Sequence, residues 1–430
     1  MVKKETKEET LLGPYRVLDL TDAKGFFCGR MLADFGADVI KVEIPGGDIA
    51  RKIGPFYKDI PDPEKSLYWF LYNANKRGIT LNIETSDGQE LFKRLVKTAD
   101  FVIESFNPGF LDSLGLGFSA LSEINPRIIL TSITPFGQTG PKAHHKSSEL
   151  TAWASGGMLY MTGQWEGRPV WVGAPQGFIH GGIEGAIGSL MAHWHRELTG
   201  EGQHVDVSIQ AAEISSSQQA TGFWDLNHNN PTRVGPNLGA LDKRVPIVFP
   251  CKDGYVCGFT WMTVTRVMLD SMLALIDWMK DEWACPEWMA QMSENDWMRE
   301  YGIFAITQEE NIQEKIDRAC APFFEFLITK TKAEIFEQAL PRHILLQPVA
   351  TTQEIYENPQ LTERDYWQNV DHPELGDTII YPGPFAKMSE TPWEITRRAP
   401  LIGEHNGEIY EKDLGLSKEK LGMLASFGVI

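Results

Sequence analysis

A strand, helix and strand are predicted by the order of apolar and polar residues in VLDLTDAKGFFCGRMLADFGADVIKVEIP, residues 17–45. Short apolar runs at 17–20 and 37–42 predict two buried strands. Between them, apolar residues recur at helical spacing until Gly36, which is typical of a helix end. Two strands joined by a helix of this length form a parallel βαβ unit.

The loops after these two strands, at 21–25 and 43–51, should face a ligand, because ligands collect at the carboxyl ends of the strands in open parallel sheets. The glycine-rich dinucleotide fingerprint is absent, since Gly25 and Gly29 alone do not form GxGxxG. A helix packed on a sheet without any ligand therefore remains an equally good interpretation of this stretch.

The alternation of strands and helices continues and predicts a doubly wound α/β domain. Thr85 is expected to cap one of the helices. The further predicted strands are at 79–83, 101–104, 128–133 and 205–209, and the helices between them are at 85–98 and 119–124.

The composition of the chain changes from about residue 150 onward. Residues 150–195 are rich in glycine and small apolar residues, which indicates closely packed helices or a ligand near the backbone. Asn, Pro and Gly at 227–237 indicate a linker, and 245–257 reads as a hairpin. The stretch 261–342 predicts helices rich in Trp and Met, and two interpretations stay open: a small-domain core or oligomer surface, or an aromatic ligand pocket. A strand at 344–351 and two closing helices are also expected.

Length and charge limit the classes of function. A chain of 430 residues fits two domains, and a net charge of -18 argues against a nucleic-acid partner while allowing a local basic pocket. No run of 18 apolar residues and no apolar segment after the charged N-terminus are present, so we expect no membrane span or signal peptide and a cytoplasmic location. Five cysteines at irregular spacing favour reduced thiols, and neither disulfides nor a metal site are expected.

Basic residues cluster near two predicted strand ends. Asn73, Asn75, Lys76 and Arg77 precede one strand, and Arg51 follows another. Lysine and arginine give charge-assisted hydrogen bonds to phosphate oxygens, so the cluster is compatible with a polyanion site. A solvated turn is the alternative.

Five segments resemble, in order, the signature segments of the family III CoA-transferases, the CaiB/BaiF family. They are GADVIKVEIPGGDIAR, NANKRGITLNIETSDGQELFKRLVKTADFVIESFNPG, LGLGFSALSEINPRIILTSITPFGQTGP, HRELTGEGQHVDVSIQAAE and APLIGEHNGEIY. The resemblance implies a large, split, doubly wound (Rossmann-like) α/β domain, a smaller α+β domain and long linkers, in a dimer of interlocked chains. The expected boundaries are 10–226 for the first part of the large domain, 227–244 for a linker, 245–343 for the small domain, and 344–430 for the return linker and the C-terminal part of the large domain.

The resemblance also implies coenzyme A and acyl-CoA as substrates, with no permanently bound cofactor. By similarity, six residues would line the nucleotide and pantetheine of CoA: Arg51, Leu71, Asn73, Lys76, Arg77 and Phe106. Ser105 and Ser113 stand where the formyl-CoA transferase pattern has Asn and Arg, so contacts to the CoA phosphates must be partly rebuilt.

The position of the family nucleophile departs from the pattern. Members of the family use an aspartate that attacks the acyl-CoA and forms a mixed anhydride, then an aspartyl-CoA thioester. It follows a segment like PVRVGxPxxD, and here PVWVGAPQGF places Phe178 in its slot. The racemase branch adds a histidine directly before an acidic residue, and here Ser148 and Glu149 occupy these two positions.

The spacing of the other polar residues nearby does not place any of them at the position of the aspartate. Glu184 lies six residues after Phe178, and His193 and His195 are expected at a helix end. His180 and Glu149 remain candidates for proton transfer, although a histidine in a glycine-rich packed segment is more often structural.

Three hypotheses follow from this departure. In the favoured one, the chain is the subunit without the nucleophile in a heteromeric CoA-transferase that moves CoA from an acyl-CoA, such as succinyl-CoA, to a carboxylic acid. A paralogous subunit would carry the catalytic aspartate. The alternatives are a CoA-thioester isomerase or lyase that uses His180 or Glu149, and a non-catalytic CoA-binding or scaffold subunit.

Overall fold

The computed structural model describes residues 10–240, 243–259, 265–302, 305 and 311–430. These residues divide into two compact units, each of them discontinuous in sequence. The first contains the described residues up to Met158 together with Gly173–Gln218 and Pro359–Ile430, and the second contains Leu159–Val172 and Gln219–Asn358. The expected boundaries placed residues 159–172 and 219–226 in the large domain, whereas both ranges belong to the second unit.

A parallel sheet of six strands forms the centre of the first unit, within the residues that the structure describes. Its strand order is β3-β2-β1-β4-β5-β6, so the order reverses between β1 and β4. The mixed α/β fold with a parallel central sheet, expected from the sequence, is confirmed. The strands are β1 Arg16–Leu20, β2 Asp38–Glu43, β3 Arg77–Thr80, β4 Phe101–Glu104, β5 Ile129–Thr134 and β6 His204–Ser208.

Buried side chains cover both faces of this sheet. Successive side chains of a strand point to opposite faces, so neighbours in sequence show which face each cluster covers. Val17 and Phe101 belong to one buried cluster, and their neighbours Leu18 and Val102 belong to another. Parallel strands that are buried on both sides read as continuous apolar runs, which explains why the sequence reveals them well.

Helices flank the sheet. Thr85 accepts a hydrogen bond from the Gly88 N–H at the start of α3, as expected for a helix cap. The helices up to residue 227 are α1 Phe26–Asp34, α2 Leu67–Asn73, α3 Ser86–Val96, α4 Phe110–Ser113, α5 Phe118–Ile124, α6 Glu149–Ser155, α7 Met158–Met161, α8 Gln176–Thr199, α9 Ile209–Ser215 and α10 Gln218–Asn227. Short 3₁₀ turns lie at Ile49–Lys52 and Tyr57–Asp59.

Helix α8 packs unusually close to its neighbours because glycines face them. A Cβ atom on Gly182 would lie 2.8 Å from the Phe27 Cβ atom of α1, and one on Gly185 would lie 2.7 Å from the Ile133 Cδ1 atom of β5. Real Cβ atoms are not found so close to other atoms, so this packing requires glycine. The glycine-rich composition of residues 150–195 thus fixes the position of α8 on the sheet.

The second unit combines short antiparallel strands with helices. β9 pairs with β10 and β10 with β11 in the described residues, which includes the predicted hairpin. β7 and β8 also pair, so the predicted linker at 227–244 contains strand residues. The strands are β7 Asn237–Ala240, β8 Lys243–Pro246, β9 Val248–Cys251, β10 Gly254–Gly258 and β11 Leu346–Pro348, and the helices are α11 Arg266–Asp281, α12 Glu287–Ala290, α13 Glu294–Tyr301, α14 Ile312–Leu327, α15 Lys332–Ala339 and α16 Thr352–Tyr356.

The tryptophans predicted in this unit have different environments. Trp278 and Trp297 are buried in its hydrophobic core, so the core interpretation applies to them. Trp288 packs against that core, and Trp283 is 96% exposed. Trp261 lies outside the described residues.

The C-terminal segment returns to the first unit. The carbonyl of Pro400 accepts hydrogen bonds from Arg51 and Trp69, and the ring of His405 accepts one from the Gly78 N–H of β3. Its elements are α17 Pro359–Glu363, β12 Trp367–His372, β13 Asp377–Pro382, a π-helix at Gly407–Asp413 and α18 Lys418–Ser426. Among the described residues, no helix has both the length and the apolar character needed to cross a membrane.

Candidate functional site

The loops after β1 and β4 meet where the strand order reverses, which is the usual ligand position in open α/β sheets. The Asp22 N–H donates to the Ser105 hydroxyl over 2.8 Å, and that hydroxyl donates to Asp22 Oδ1 over 2.8 Å. Lys24 pairs with the same carboxylate. The predicted ligand loop at 21–25 is therefore joined to the start of the 105–109 loop.

Lys76 lies beneath this junction in a fully buried ion pair with Asp19. The Lys76 Nζ atom lies 2.8 Å from Asp19 Oδ2 and 2.9 Å from the Asn73 side-chain oxygen. Burial alone would raise the pKa of Asp19, but the charges of Lys76 and Lys41 lower it below its usual value. Burial lowers the pKa of Lys76 to about 8, opposed by Asp19. Lys76 and Asn73 are thus bound to each other and to the core of the sheet.

Arg51 and Arg77 are also held by internal carboxylates. Arg51 Nε lies 2.7 Å from Glu43 Oε2, and its guanidinium covers the Trp69 ring at 3.8 Å. Arg77 Nε donates to Asp38 over 2.8 Å, and its Nη1 donates to Glu408 over 2.8 Å. The basic cluster is therefore neither an open patch nor a solvated turn: its cations are buried in structural ion pairs.

Leu71 and Phe106, the apolar residues predicted to contact CoA, are half-buried. The Phe106 ring packs on that of Phe110 with centroids 4.7 Å apart. Ser113 is exposed, and its hydroxyl donates to the Phe110 carbonyl. The CoA role of the six residues named from the resemblance stays a prediction.

Phe178 is the third residue of α8, and its ring packs against the core beside the sheet. Glu149 binds the start of this helix: its carboxylate accepts from the Gly177 N–H over 2.8 Å and from the Phe178 N–H over 2.9 Å. Free N–H groups at a helix N-terminus favour a negative charge. Burial raises the pKa of Glu149, and the two N–H groups oppose this rise.

The neighbours of Phe178 have structural partners. Ser148 caps α6 in a reciprocal pair of hydrogen bonds with Thr151, so this hydroxyl does not replace the histidine of the racemase branch. The His180 ring lies 3.3 Å from the Ser216 hydroxyl. His193 and His195 lie in the last two turns of α8, as expected. Glu184 lies further along α8 than the turn that holds Phe178.

Glu213 of α9 was missed by the sequence analysis. Its side chain is fully buried, and neither carboxyl oxygen has a hydrogen-bond partner among the described residues. Burial and, to a smaller extent, the charge of Glu149 raise the pKa of Glu213 to about 8. The available signal was its helical spacing with Ile209 and Ala212, which places an acidic residue on the buried face of α9.

Two tyrosines of α2 complete this region. The rings of Tyr68 and Tyr72 lie 4.6 Å apart. Burial raises the pKa of both phenols, and the charge of Glu149 raises them further. Both hydroxyl groups therefore stay protonated near the start of α8.

A polar cavity of about 100 Å³ lies beside β4 and β5, and the sequence did not indicate it. The Ser132 hydroxyl lies 2.9 Å from His204 Nε2, and burial raises the pKa of Glu104 to about 7. Glu104 contacts the serine and not the histidine, so the order of a Ser-His-acid triad is absent from these three residues. Within the described residues, no group of three His, Cys, Asp or Glu side chains is arranged for a metal ion.

The comparisons with known proteins agree on one family. The model of CoA-transferase family III matches residues 12–406. The chain is 35% identical over 395 residues to the succinyl-CoA:(R)-benzylsuccinate CoA-transferase subunit BbsE of Thauera aromatica, a match that covers 92% of each chain. It is 29% identical to the beta subunit of the succinyl-CoA--L-malate CoA-transferase of Chloroflexus aurantiacus, over 97% of this chain and 98% of that one.

A solved structure has the same fold. The crystal structure of a CaiB/BaiF family protein from Brucella suis superposes with a TM-score of 0.73 and 25% identity, and covers 94% of this chain and 99% of that one. The similarity extends along nearly the whole length of both chains.

Proposed function

Because the chain belongs to CoA-transferase family III, we propose that it is the subunit without the nucleophile in a heteromeric CoA-transferase. A paralogous partner subunit supplies the catalytic aspartate. The two relatives named above are themselves subunits by name, which supports an assembly of two kinds of chain.

Phe178 is the observation that carries the proposal. Covalent transfer in this family needs a carboxylate that takes up the acyl group and then CoA, and an aromatic ring can do neither. The nearby carboxyl groups have other tasks: Glu149 binds two N–H groups of α8, and Glu213 is buried. The chain thus retains the fold of a CoA-transferase without a free carboxylate at the nucleophile slot.

The substrates proposed come from the most informative relative. BbsE is named for succinyl-CoA as CoA donor and (R)-benzylsuccinate as acceptor. We extend both to this chain: CoA passes from succinyl-CoA to an aromatic dicarboxylic acid, in the cytoplasm and in anaerobic aromatic degradation.

Only some of the six predicted CoA residues would contact CoA in this chain, and the others would act through the loops that they hold. Leu71 and Phe106 offer half-buried apolar surface to the pantetheine and adenine. Arg51, Asn73, Lys76 and Arg77 are buried in ion pairs and hydrogen bonds, so we propose that they shape the loops that meet the nucleotide rather than bind the phosphates themselves.

An apolar stripe on α8 supports the proposal that a partner chain binds this one. Four side chains at helical spacing face outward, with exposed fractions between 44% and 70%: Ile187, Met191, Trp194 and Leu198. Contiguous apolar side chains on a helix surface commonly mark a protein interface. We propose that the paralogous chain covers this stripe in an interlocked dimer.

Coexpression of the chain with an aspartate-bearing paralogue tests the proposal. Native mass spectrometry should show a complex of both chains, and only this complex should exchange CoA between succinyl-CoA and benzylsuccinate. CoA transfer by the purified chain alone, or a stable monomer that ignores the paralogue, would overturn it.

A further inference from the structure

Glu213 is a buried carboxyl group that the transfer reaction does not use. Its oxygens have no hydrogen-bond partner among the described residues, and the side chain is not exposed. A carboxylate without partners is strongly disfavoured in a protein interior, whereas the neutral acid is tolerated far better. The site therefore selects the protonated form of Glu213.

Two glycines make room for this group at the start of α8. A Cβ atom on Gly177 would overlap with Glu213 Oε1, and a Cβ atom on Gly156 would overlap with Oε2. Gly177 also donates its N–H to Glu149. The Glu213 carboxyl group thus packs directly on Gly177, the residue that precedes Phe178.

The charged and titratable groups around Glu213 come from several elements. α6 contributes Glu149, whose negative charge acts on Glu213. α8 contributes His180, which contacts Ser216 of α9, and β6 contributes His204 and Asp206, which contact Ser132 and Gln138. The other ionisable groups near the start of α8 are Glu184 on the same helix and the phenols Tyr68 and Tyr72 on α2. In this set, Glu149 is the group that acts on Glu213.

We propose that Glu213 is a positioning residue for the acyl-CoA site: its protonated carboxyl group seats the first turn of α8 and lets Glu149 cap that helix as an anion. This rests on the proposed function in one respect, since the turn positioned is the one that holds residue 178. Ionisation of Glu213 puts a second negative charge, without hydrogen bonds, beside the one on Glu149.

The first turn of α8 should separate from Glu213 more easily as pH rises. When the turn opens, Glu213 meets water and ionises near its ordinary pKa of about 4.3. In the closed turn its pKa is about 8. Between pH 4.3 and pH 8, roughly, the closed form therefore binds one proton more than the open form. The free energy of opening falls as pH rises through this range and stays constant above about pH 8.

Hydrogen exchange of the full chain, read by mass spectrometry on peptides that cover residues 174–182, measures this opening. After correction for the intrinsic exchange rate, protection in the wild type should fall by up to tenfold per pH unit between about pH 5 and pH 8. Glu213→Gln keeps the shape and removes the titration of this group, so the part of the fall in protection that Glu213 causes should disappear. Glu213→Met is a second neutral variant with the same expectation.

Glu104→Gln is the matched control, because it removes another buried carboxyl group with a raised pKa, one whose partners are Ser132 and the Phe106 N–H rather than α8. In this variant the peptides of α8 should keep the pH dependence of the wild type. A wild-type protection that does not change with pH, or Glu213 variants that retain the wild-type fall, would overturn the proposal.

The activity of the complex gives a separate result. CoA transfer by the complex with wild-type chain, measured at pH 6.5, tests the proposed function by itself. If the complex has no CoA-transferase activity, the proposed function fails while the exchange experiment still decides the role of Glu213.

Discussion

Glu149 Oε2 lies 2.9 Å from the backbone nitrogen of Phe178, so the residue that we assign to the nucleophile slot is held by the carboxylate of another residue. The same carboxylate binds the Gly177 N–H. The backbone of the slot is therefore ordered at the start of α8, while its side chain is an aromatic ring packed on the core. In the proposed function, the chain lacks the reactive group and not the turn that would carry it.

Phe178→Asp should therefore place a carboxylate at this position that can form a covalent adduct in a single turnover. An aspartate in the first turn of a helix is favoured by the helix dipole, although the acyl carbon must also be placed precisely. The variant incubated with succinyl-CoA should gain a covalent adduct on the peptide that contains residue 178. Phe178→Asn has nearly the same shape and no carboxylate, and it should remain unmodified. If the aspartate variant stays unmodified while the paralogue is labelled under the same conditions, the acyl pocket of this chain is closed as well, which favours the scaffold hypothesis.

Gly182→Ala should destabilise the chain by about 1–3 kcal/mol, because the new methyl group overlaps with α1 in a tightly packed contact. Gly222→Ala on α10 is the matched control, since a Cβ atom there meets nothing within 4 Å. That control should be neutral or stabilising by about 0.4–1 kcal/mol. Chemical denaturation of both variants measures the difference, and equal effects would contradict the packing derived for α8.

Lys76→Met should destabilise the first unit by about 3–5 kcal/mol, because it leaves the carboxylate of Asp19 buried without its closest cation. Lys41 lies 3.7 Å from Asp19 and compensates in part, which favours the lower end of this range. Lys280→Met removes an exposed pair with Asp277 and should change stability by less than about 1 kcal/mol. If Lys76 instead binds the CoA phosphates directly, its variant would keep its stability and lose only CoA affinity, as seen by calorimetry.

The free energy of unfolding should depend on pH through Glu213. The pKa of this carboxyl group is raised in the folded chain, so the folded state binds more protons than the unfolded state and stability falls as pH rises from about 5 to 8. Glu213→Gln should remove about 1–3 kcal/mol of that fall. Denaturant titrations at pH 5 and pH 8 test this, and an identical pH dependence in variant and wild type would contradict it.

The apolar stripe of α8 should be needed for assembly. Trp194→Asp places a charge in its centre and should abolish the complex with the paralogue. Trp283→Asp alters a still more exposed tryptophan outside the stripe and should leave the complex intact. Size-exclusion chromatography of coexpressed pairs measures both, and a normal complex with Trp194→Asp would place the interface elsewhere.

The sheet was predictable from the sequence, because strands buried on both faces form apolar runs such as 17–20 and 101–104. The predicted strand at 79–83 ends earlier, at Thr80, since the chain there leaves β2 and turns towards α3. The pairing of β7 with β8, which begins within the predicted linker, was missed because Asn, Pro and Gly at 227–237 are typical of a loop.

Partners distant in sequence explain what could not be predicted at the site. The carboxylates of Glu43 and Asp38 that bind Arg51 and Arg77 were visible, but the pairing needs the fold. Likewise, the contact of Glu213 with Gly156 and Gly177 joins three segments that only packing brings together. The hypothesis of a missing nucleophile required no structure, because Phe178 stands in a segment that resembles the family pattern.

The most direct test of the account is to locate the covalent intermediate in the assembled enzyme. The complex of this chain and its paralogue, trapped during turnover with succinyl-CoA and digested for mass spectrometry, should carry the adduct on the paralogue's aspartate and on no peptide of this chain. An acyl or CoA adduct on a residue of this chain, formed at the rate of turnover, would contradict the central claim that its partner performs the chemistry.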